Sequence, residues 1–134
     1  MKLDHIGIAT HRLGDSLAIW RDVLGLEIDS TEEVTDQGVR IAMLPLGETH
    51  IELLEPLSAD SPVGKFLAKR GSGIHHLAVE VNDIRTMLSK LADEGIRLID
   101  REPRVGAGGC LVAFIHPSST NGVLLELVQR ASLV

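Results

Sequence analysis

The sequence predicts an α+β fold built from two tandem β-α-β-β-β modules, and three observations predict it. A short motif occurs twice: Asp4-His5-Ile6-Gly7-Ile8-Ala9 opens the first half and His75-His76-Leu77-Ala78-Val79-Glu80 opens the second. Each half also closes on an apolar strand carrying one glutamate, His50-Ile51-Glu52-Leu53-Leu54 and Val123-Leu124-Leu125-Glu126-Leu127. The landmarks keep their spacing as well, with His76 71 residues after His5, Gly95 70 after Gly25 and Glu126 74 after Glu52. Offsets that drift so little describe a duplicated unit with small differences in loop length.

Residues 2–9 alternate in character and read as a strand. After Thr10 the period changes: Leu13, Leu17, Trp20 and Leu24 recur at three- and four-residue intervals, one face of an amphipathic helix that Gly25 ends. Strands are then expected at 26–34, 38–45 and 49–56, separated by Gln37-Gly38 and Gly47-Glu48. Ser61-Pro62 opens a short helix through Phe66-Leu67, and Arg70-Gly71-Ser72-Gly73 leads into the second half. There Ile84, Met87, Leu88 and Leu91 mark the second helix, Gly95 ends it, and strands are expected near 96–101, 110–116 and 122–129. The boundaries are module one at 1–57, a linker at 58–72 and module two at 73–130, all within one domain of 134 residues.

A chain of this length with 44% apolar residues can bury a real core in one domain. A net charge of −6 without Lys/Arg runs argues against nucleic acid or an anionic membrane as partner. Trp20, Phe66 and Phe114 are the whole aromatic complement, too few for a base-stacking platform. The lone Cys110 excludes an internal disulfide, no segment has the length and apolarity of a membrane span, and the first residues read as a strand rather than a signal peptide. The cytoplasm is the expected compartment.

Strand alternation assigns faces. His50, Glu52 and Leu54 share one face and Ile51 and Leu53 the other; Leu124, Glu126 and Val128 oppose Val123, Leu125 and Leu127. Both glutamates therefore point away from the side that packs on a helix. His5 shares its face with Gly7 and Ala9, and His76 with Ala78, small neighbours that leave room for a cavity. A single strand histidine is more often a hydrogen-bonded core residue, and a single strand glutamate faces solvent. Two such pairs in register across a repeat read otherwise, because a carboxylate inside the apolar run around Glu126 requires a partner. His5, Glu52, His76 and Glu126 can supply four ligands to one divalent ion, and imidazole with carboxylate suits Zn, Fe, Ni, Co or Mn.

The remaining histidines carry less. His75 points opposite His76 and packs or caps locally, and His11 sits in the strand-to-helix turn. His116, before Pro117, either faces a ligand or makes a turn; His50, on the face of Glu52, is a candidate substrate contact. Cys110 reads as an ordinary small residue. Gly106-Ala107-Gly108-Gly109 lacks the Lys-[Ser/Thr] of a P-loop and is either a flexible loop over a substrate or a hairpin turn.

Taken together these residues resemble the vicinal oxygen chelate superfamily, and within it the methylmalonyl-CoA epimerase family, over nearly the whole chain. The segments that carry the resemblance are Leu3-Asp4-His5-Ile6-Gly7-Ile8-Ala9, Gln37-Gly38-Val39, Ile51-Glu52-Leu53-Leu54-Glu55-Pro56-Leu57 with Ser61-Pro62, Gly73-Ile74-His75-His76-Leu77-Ala78-Val79-Glu80-Val81, and Phe114-Ile115-His116-Pro117 leading into Gly122-Val123-Leu124-Leu125-Glu126-Leu127. The resemblance implies a curved mixed sheet around a metal held by His5, Glu52, His76 and Glu126, with the Glu52 position sometimes glutamine, and usually a homodimer. It implies methylmalonyl-CoA as substrate, its 2R and 2S forms being interconverted. It implies Glu126 as one base and, as the other, a carboxylate just before the Gln-Gly-Val turn. That residue is Asp36, one methylene shorter than the glutamate the family generally has there.

The chemistry suits the residue types. A carbon acid between a thioester and a carboxylate loses its C2 proton more readily when a cation stabilises the resulting enolate, and two acid/base groups on opposite faces suffice for inversion. Arg104, with Arg101, Lys65, Lys69 and Arg70, is a candidate for the phosphates of CoA. The competing readings are a lactoylglutathione lyase (glyoxalase I)-type isomerase, an extradiol dioxygenase and a non-catalytic small-molecule binder. A fourth ligand at Glu52 argues against the dioxygenase, and scarce aromatic residues argue against a binder that stacks flat drugs.

Overall fold

The computed structural model describes residues 1–131. They group into two compact units, one of His5–His75 and one that joins Met1–Asp4 to the residues from His76 onward. In the first unit, β1 (Lys2–Ala9) runs parallel to β4 (Thr49–Pro56), β4 antiparallel to β3 (Val39–Leu46), and β3 antiparallel to β2 (Ser30–Val34). Gly47 supplies the left-handed backbone, φ 63°, that the tight β3–β4 hairpin requires. Leu44, Ile51 and Leu53 project to one side of this sheet and pack with Leu17 and Trp20 of the helical segment. Each such fully buried Leu or Ile contributes about 1.5–3 kcal/mol of transfer free energy.

The first helix departs from its expected period. It is α-helical only as α1 (Leu13–Leu17), whose first amide, Leu13 N–H, donates to Glu55 Oε1 at 2.9 Å, and it continues as a π-helical turn, Ala18–Val23. The widened turn is closed by Leu24 N–H donating to Ile19 O and Leu26 N–H to Trp20 O. Because a π turn holds more residues than 3.6, the three- and four-residue rhythm fails past Trp20. Trp20 still reaches the core, but Leu24, expected on the buried face, is 58% exposed. The strand expected from residue 26 begins only at Ser30, since Leu26 and Ile28 are taken up by packing against the core.

A helix α2 (Pro62–Arg70) follows β4. Ser61 caps it by accepting the Gly64 amide at 3.1 Å, and Pro62 occupies the first turn, where its missing N–H has no consequence. In the second unit, β5 (Gly73–Glu80) runs parallel to β8 (Leu125–Gln129), β8 antiparallel to β7 (Leu111–Ile115), and β7 pairs with the two-residue β6 (Arg104–Val105). Between β5 and β6 lies α3 (Ile84–Asp93), capped by Asp83, which accepts the Thr86 amide. Its Ile84 and Leu88 pack on Ala113, Ile115 and Leu127.

The strand expected near 96–101 is not formed. That segment lies beside β7 but bonds irregularly: Ile99 and Asp100 amides both donate to Phe114 O, and the Asp100 carboxylate accepts the Phe114 amide at 2.9 Å. A side chain thus takes the place of a backbone carbonyl, and the regular pairing moves on to Arg104–Val105. Lys2 and Asp4 tie the first residues to this unit, Lys2 to Glu80 at 3.6 Å and the buried Asp4 to Arg130 at 2.5 Å. Among the described residues no helix is long and apolar enough to cross a membrane.

Candidate metal centre and active site

Parallel pairing of β1 with β4 sets His5 beside His50 and Gly7 beside Glu52. Since Ile51 and Leu53 are committed to the core, Glu52 leaves the opposite face, and Gly7 offers no side chain to fill the space next to it. The His5 Nε2 and Glu52 Oε2 atoms are 3.5 Å apart, in side chains 5% and 8% exposed. In the second unit the same construction recurs. Ala78 stands beside Glu126 in the β5–β8 register, Leu127 goes to the helix side, and His76 Nε2 lies 3.6 Å from Glu126 Oε1 with both residues buried. Phe114, paired with Glu126 across β7 and β8, sets its ring against His76, centroids 5.5 Å apart and planes at 84°. That edge-on contact holds the imidazole in one orientation.

Both nitrogen-to-oxygen separations exceed the roughly 2.7–3.2 Å of an ordinary N–H···O hydrogen bond. They match two donors on one ion: with bonds of about 2.0–2.2 Å, neighbouring ligands at tetrahedral or octahedral angles stand about 3–3.6 Å apart. His5, Glu52 and His76 are buried groups that each offer a ligand atom. Within each unit a nearly water-free imidazole and carboxylate make a donor pair of the kind a divalent cation takes, whose charge offsets the cost of burying the carboxylate.

The other residues singled out from the sequence fall in varied surroundings. His50, on the face of Glu52, approaches Asp29, with Nε2 and Oδ2 3.4 Å apart. His116 is engaged in a turn: its Nδ1 accepts the Ser118 amide at 3.0 Å and lies 2.8 Å from Ser118 Oγ, capping the 3-10 turn Pro117–Ser119. Arg104 is exposed on β6 and pairs with Asp100 at 3.2 Å. Asp36 lies exposed in the 3-10 turn Thr35–Gln37 between β2 and β3. His75 packs edge-on against Phe66, and burial pushes its pKa below the usual imidazole value. Gly106 leads into the 3-10 turn Ala107–Gly109 between β6 and β7, and the buried Cys110 packs with Ala78, Val112 and Val128.

The profile of the Glyoxalase/Bleomycin resistance protein/Dioxygenase superfamily matches residues 4–114. The mitochondrial methylmalonyl-CoA epimerase of Dictyostelium discoideum is 41% identical over 130 residues, covering 96% of this chain and 78% of that one. The ethylmalonyl-CoA/methylmalonyl-CoA epimerase of Cereibacter sphaeroides is 40% identical, covering 96% and 97%. A variant of Streptomyces coelicolor methylmalonyl-CoA epimerase, solved with 2-nitronate-propionyl-CoA, superposes with a TM-score of 0.95 at 41% identity, over 98% of this chain and 96% of that one. The chain belongs to the methylmalonyl-CoA epimerase family of this superfamily.

The α+β vicinal oxygen chelate fold that the resemblance implies is therefore the fold of this family member. Sequence reading passed over three of its contacts. Asp29 reaches His50 from a segment expected to be strand; Phe114 reaches His76; Glu55 reaches the first turn of α1. Only Phe114 left a readable signal: in β7 it alternates with Ala113 and Ile115, which face the helix, so it had to face the other way.

Proposed function

We propose that this protein interconverts (2R)- and (2S)-methylmalonyl-CoA, using one divalent ion held jointly by His5, Glu52, His76 and Glu126. The observation that carries the proposal is the recurrence, in each unit, of a buried His–Glu pair at almost the same separation, 3.5 and 3.6 Å. The family's epimerases, alike over nearly the full chain, supply the substrate. When bound, the ion supplies positive charge against which the negative charge developing on the substrate oxygens is stabilised.

The chain's own groups then move the proton. Glu126, buried beside His76, takes the C2 hydrogen from one face, and Asp36, in its acid form, returns a proton to the other. The centre is inverted and both carboxyl groups have exchanged protonation state; the reverse reaction runs the same steps backwards, and solvent resets the pair. Asp36 suits this exchange with water because it is exposed. His50 and His116 contact the acyl group and Arg104 the phosphates of CoA. The native ion is one of Co, Mn, Ni, Zn or Fe.

The two modules act as one domain, and the protein works as a homodimer. The exposed apolar residues Ile19 and Val23 of the π turn and Leu24 just after it support a contact with a second copy. The buried, unpaired Cys110 suits a reducing cytoplasm.

The test is deuterium entry at C2 when metal-loaded protein is incubated with methylmalonyl-CoA in deuterated water. Entry that disappears with chelator and in His76→Ala supports the proposal. Absence of entry, with turnover of the methylglyoxal–glutathione adduct, transfers the assignment to a glyoxalase I-type isomerase, and absence of stoichiometric metal transfers it to a binding protein.

A further inference from the structure

In the first unit Gly7 on β1, Glu52 on β4, Met43 on β3 and Ser30 on β2 stand in register, a row across the side of the sheet to which Glu52 points. Met43 belongs to this side because its neighbours Ala42 and Leu44 are committed to the helix-side core. Its backbone is fixed by pairing on both flanks, and its carbonyl also accepts the Asp29 amide at 2.7 Å. The side chain can still adapt, since methionine is unbranched and turns about three bonds.

The other groups around Glu52 on this side have little apolar surface left to offer. Ala9, Ile41 and Leu54 are 0%, 2% and 4% exposed. Gly7 has no side chain, Ser30 is polar, and His50, with Pro45 beside it, turns to Asp29. Met43 is half-buried and adjoins Glu52 directly, at the interstrand spacing of about 4.7–4.9 Å. The second unit differs at the equivalent place, where Phe114 adjoins Glu126 but its ring is taken up by His76.

We infer that Met43 determines specificity: the C2 alkyl group of the substrate packs against its thioether, which limits the size of that group. This rests on the reading of the protein as an epimerase of an alkylmalonyl thioester, and is independent of which carboxylate serves as the second base. C2 of such a substrate lies between its thioester and its carboxylate, the two groups that an ion held by Glu52 would take, so the alkyl group stays within a few bonds of Glu52. An apolar group gains there only where it meets apolar surface, and on this side of the unit Met43 supplies it. A methyl group fits against the thioether, whereas each added methylene has to displace it, a difference worth about 10–200-fold in an apolar pocket.

The experiment compares metal-loaded wild type, Met43→Ala and Met43→Phe on methylmalonyl-CoA and ethylmalonyl-CoA, reading kcat/KM for deuterium entry at C2 and, separately, Kd by calorimetry. Malonyl-CoA, which has no alkyl group at C2, is the third ligand in the calorimetry. Met43→Ala makes room and should move the ethyl-to-methyl ratio of kcat/KM upward by roughly 10–100-fold, and Met43→Phe should move it downward by a similar factor. The ratio of the two Kd values should shift in the same directions, while Kd for malonyl-CoA stays within about twofold in both variants, since no alkyl contact is there to lose. Because the two substitutions act in opposite directions, either one decides the matter if the other does not accumulate. An unchanged ratio with methylmalonyl-CoA still exchanging overturns the role of Met43 and leaves the epimerase reading in place. A change in malonyl-CoA binding as large as that for the alkylated ligands also overturns it, because the substitution would then be acting through the sheet or through Glu52. No exchange of either alkylated substrate by the wild type overturns the epimerase reading, and the inference with it.

Discussion

Leu53 and Glu52 are adjacent in β4 but serve opposite faces, which makes them a sensitive pair of perturbations. Leu53 is fully buried in the core that also holds Leu44, Ile51 and Leu17. Leu53→Ala removes three carbon atoms, about 2.4 kcal/mol at ~0.8 kcal/mol for each. The cavity left in a core that cannot collapse raises the total to about 3–5 kcal/mol. For a chain of this size that lowers Tm by about 10–20 °C. Metal uptake by the folded protein should be unchanged, because nothing on the Glu52 face has been touched.

Glu52→Leu should do the reverse. It replaces a buried carboxylate by an apolar group of similar volume, so the metal-free protein no longer has to bury that charge and loses less stability than in Leu53→Ala. It also removes a proposed ligand, so metal affinity falls at least about tenfold. Urea or thermal unfolding at pH 8 in chelator, where an ordinary imidazole is neutral, gives the first quantity, and metal per chain after loading and desalting gives the second. The assignment of faces is wrong if folded Leu53→Ala fails to take up metal, or if Glu52→Leu costs several kcal/mol and still holds it.

Two further outcomes follow from the packing. His75 has a pKa lowered by burial, so the unfolded chain takes up a proton more readily; stability is full above the unfolded value near 6.5 and is lost as pH falls from there towards the lower folded pKa. Urea midpoints at pH 7.5 and 5.5 should show a smaller difference in His75→Gln than in wild type, and an equal difference would remove His75 as a cause. Gly64→Ala replaces a helical glycine, a change that alone gains about 1 kcal/mol. Here the added carbon would stand 2.5 Å from Ser58 O and 2.7 Å from Ala59 O, so overpacking of about 1–3 kcal/mol prevails and Tm falls.

The two half-sites were legible in the chain because alternation along a strand is a local property. Ile51 and Leu53 identify themselves as core by type, and Glu52 must then face away; Leu127 does the same for Glu126. The buried face of the helix after Thr10 was legible as far as Trp20 but not at Leu24, since the wide turn at Ala18–Val23 changes the period on which the reading depended. The segment 96–101 was misread because the Asp100 side chain satisfies the amide of Phe114, a partner 14 residues away that no local pattern reveals.

Residue types and strand faces, and with them the donors His5, Glu52, His76 and Glu126, thus come from the order of amino acids alone. How close the donors stand comes from pairing between distant strands: the β1–β4 register brings His5 within 3.5 Å of Glu52, and the β5–β8 register brings His76 within 3.6 Å of Glu126. The meeting of Gly38 with Ser61 is of the same kind, a contact that exists only once α2 has folded against the end of β4. Faces follow from bonds between neighbours in sequence, whereas distances between functional groups depend on which remote segments the folded chain brings together.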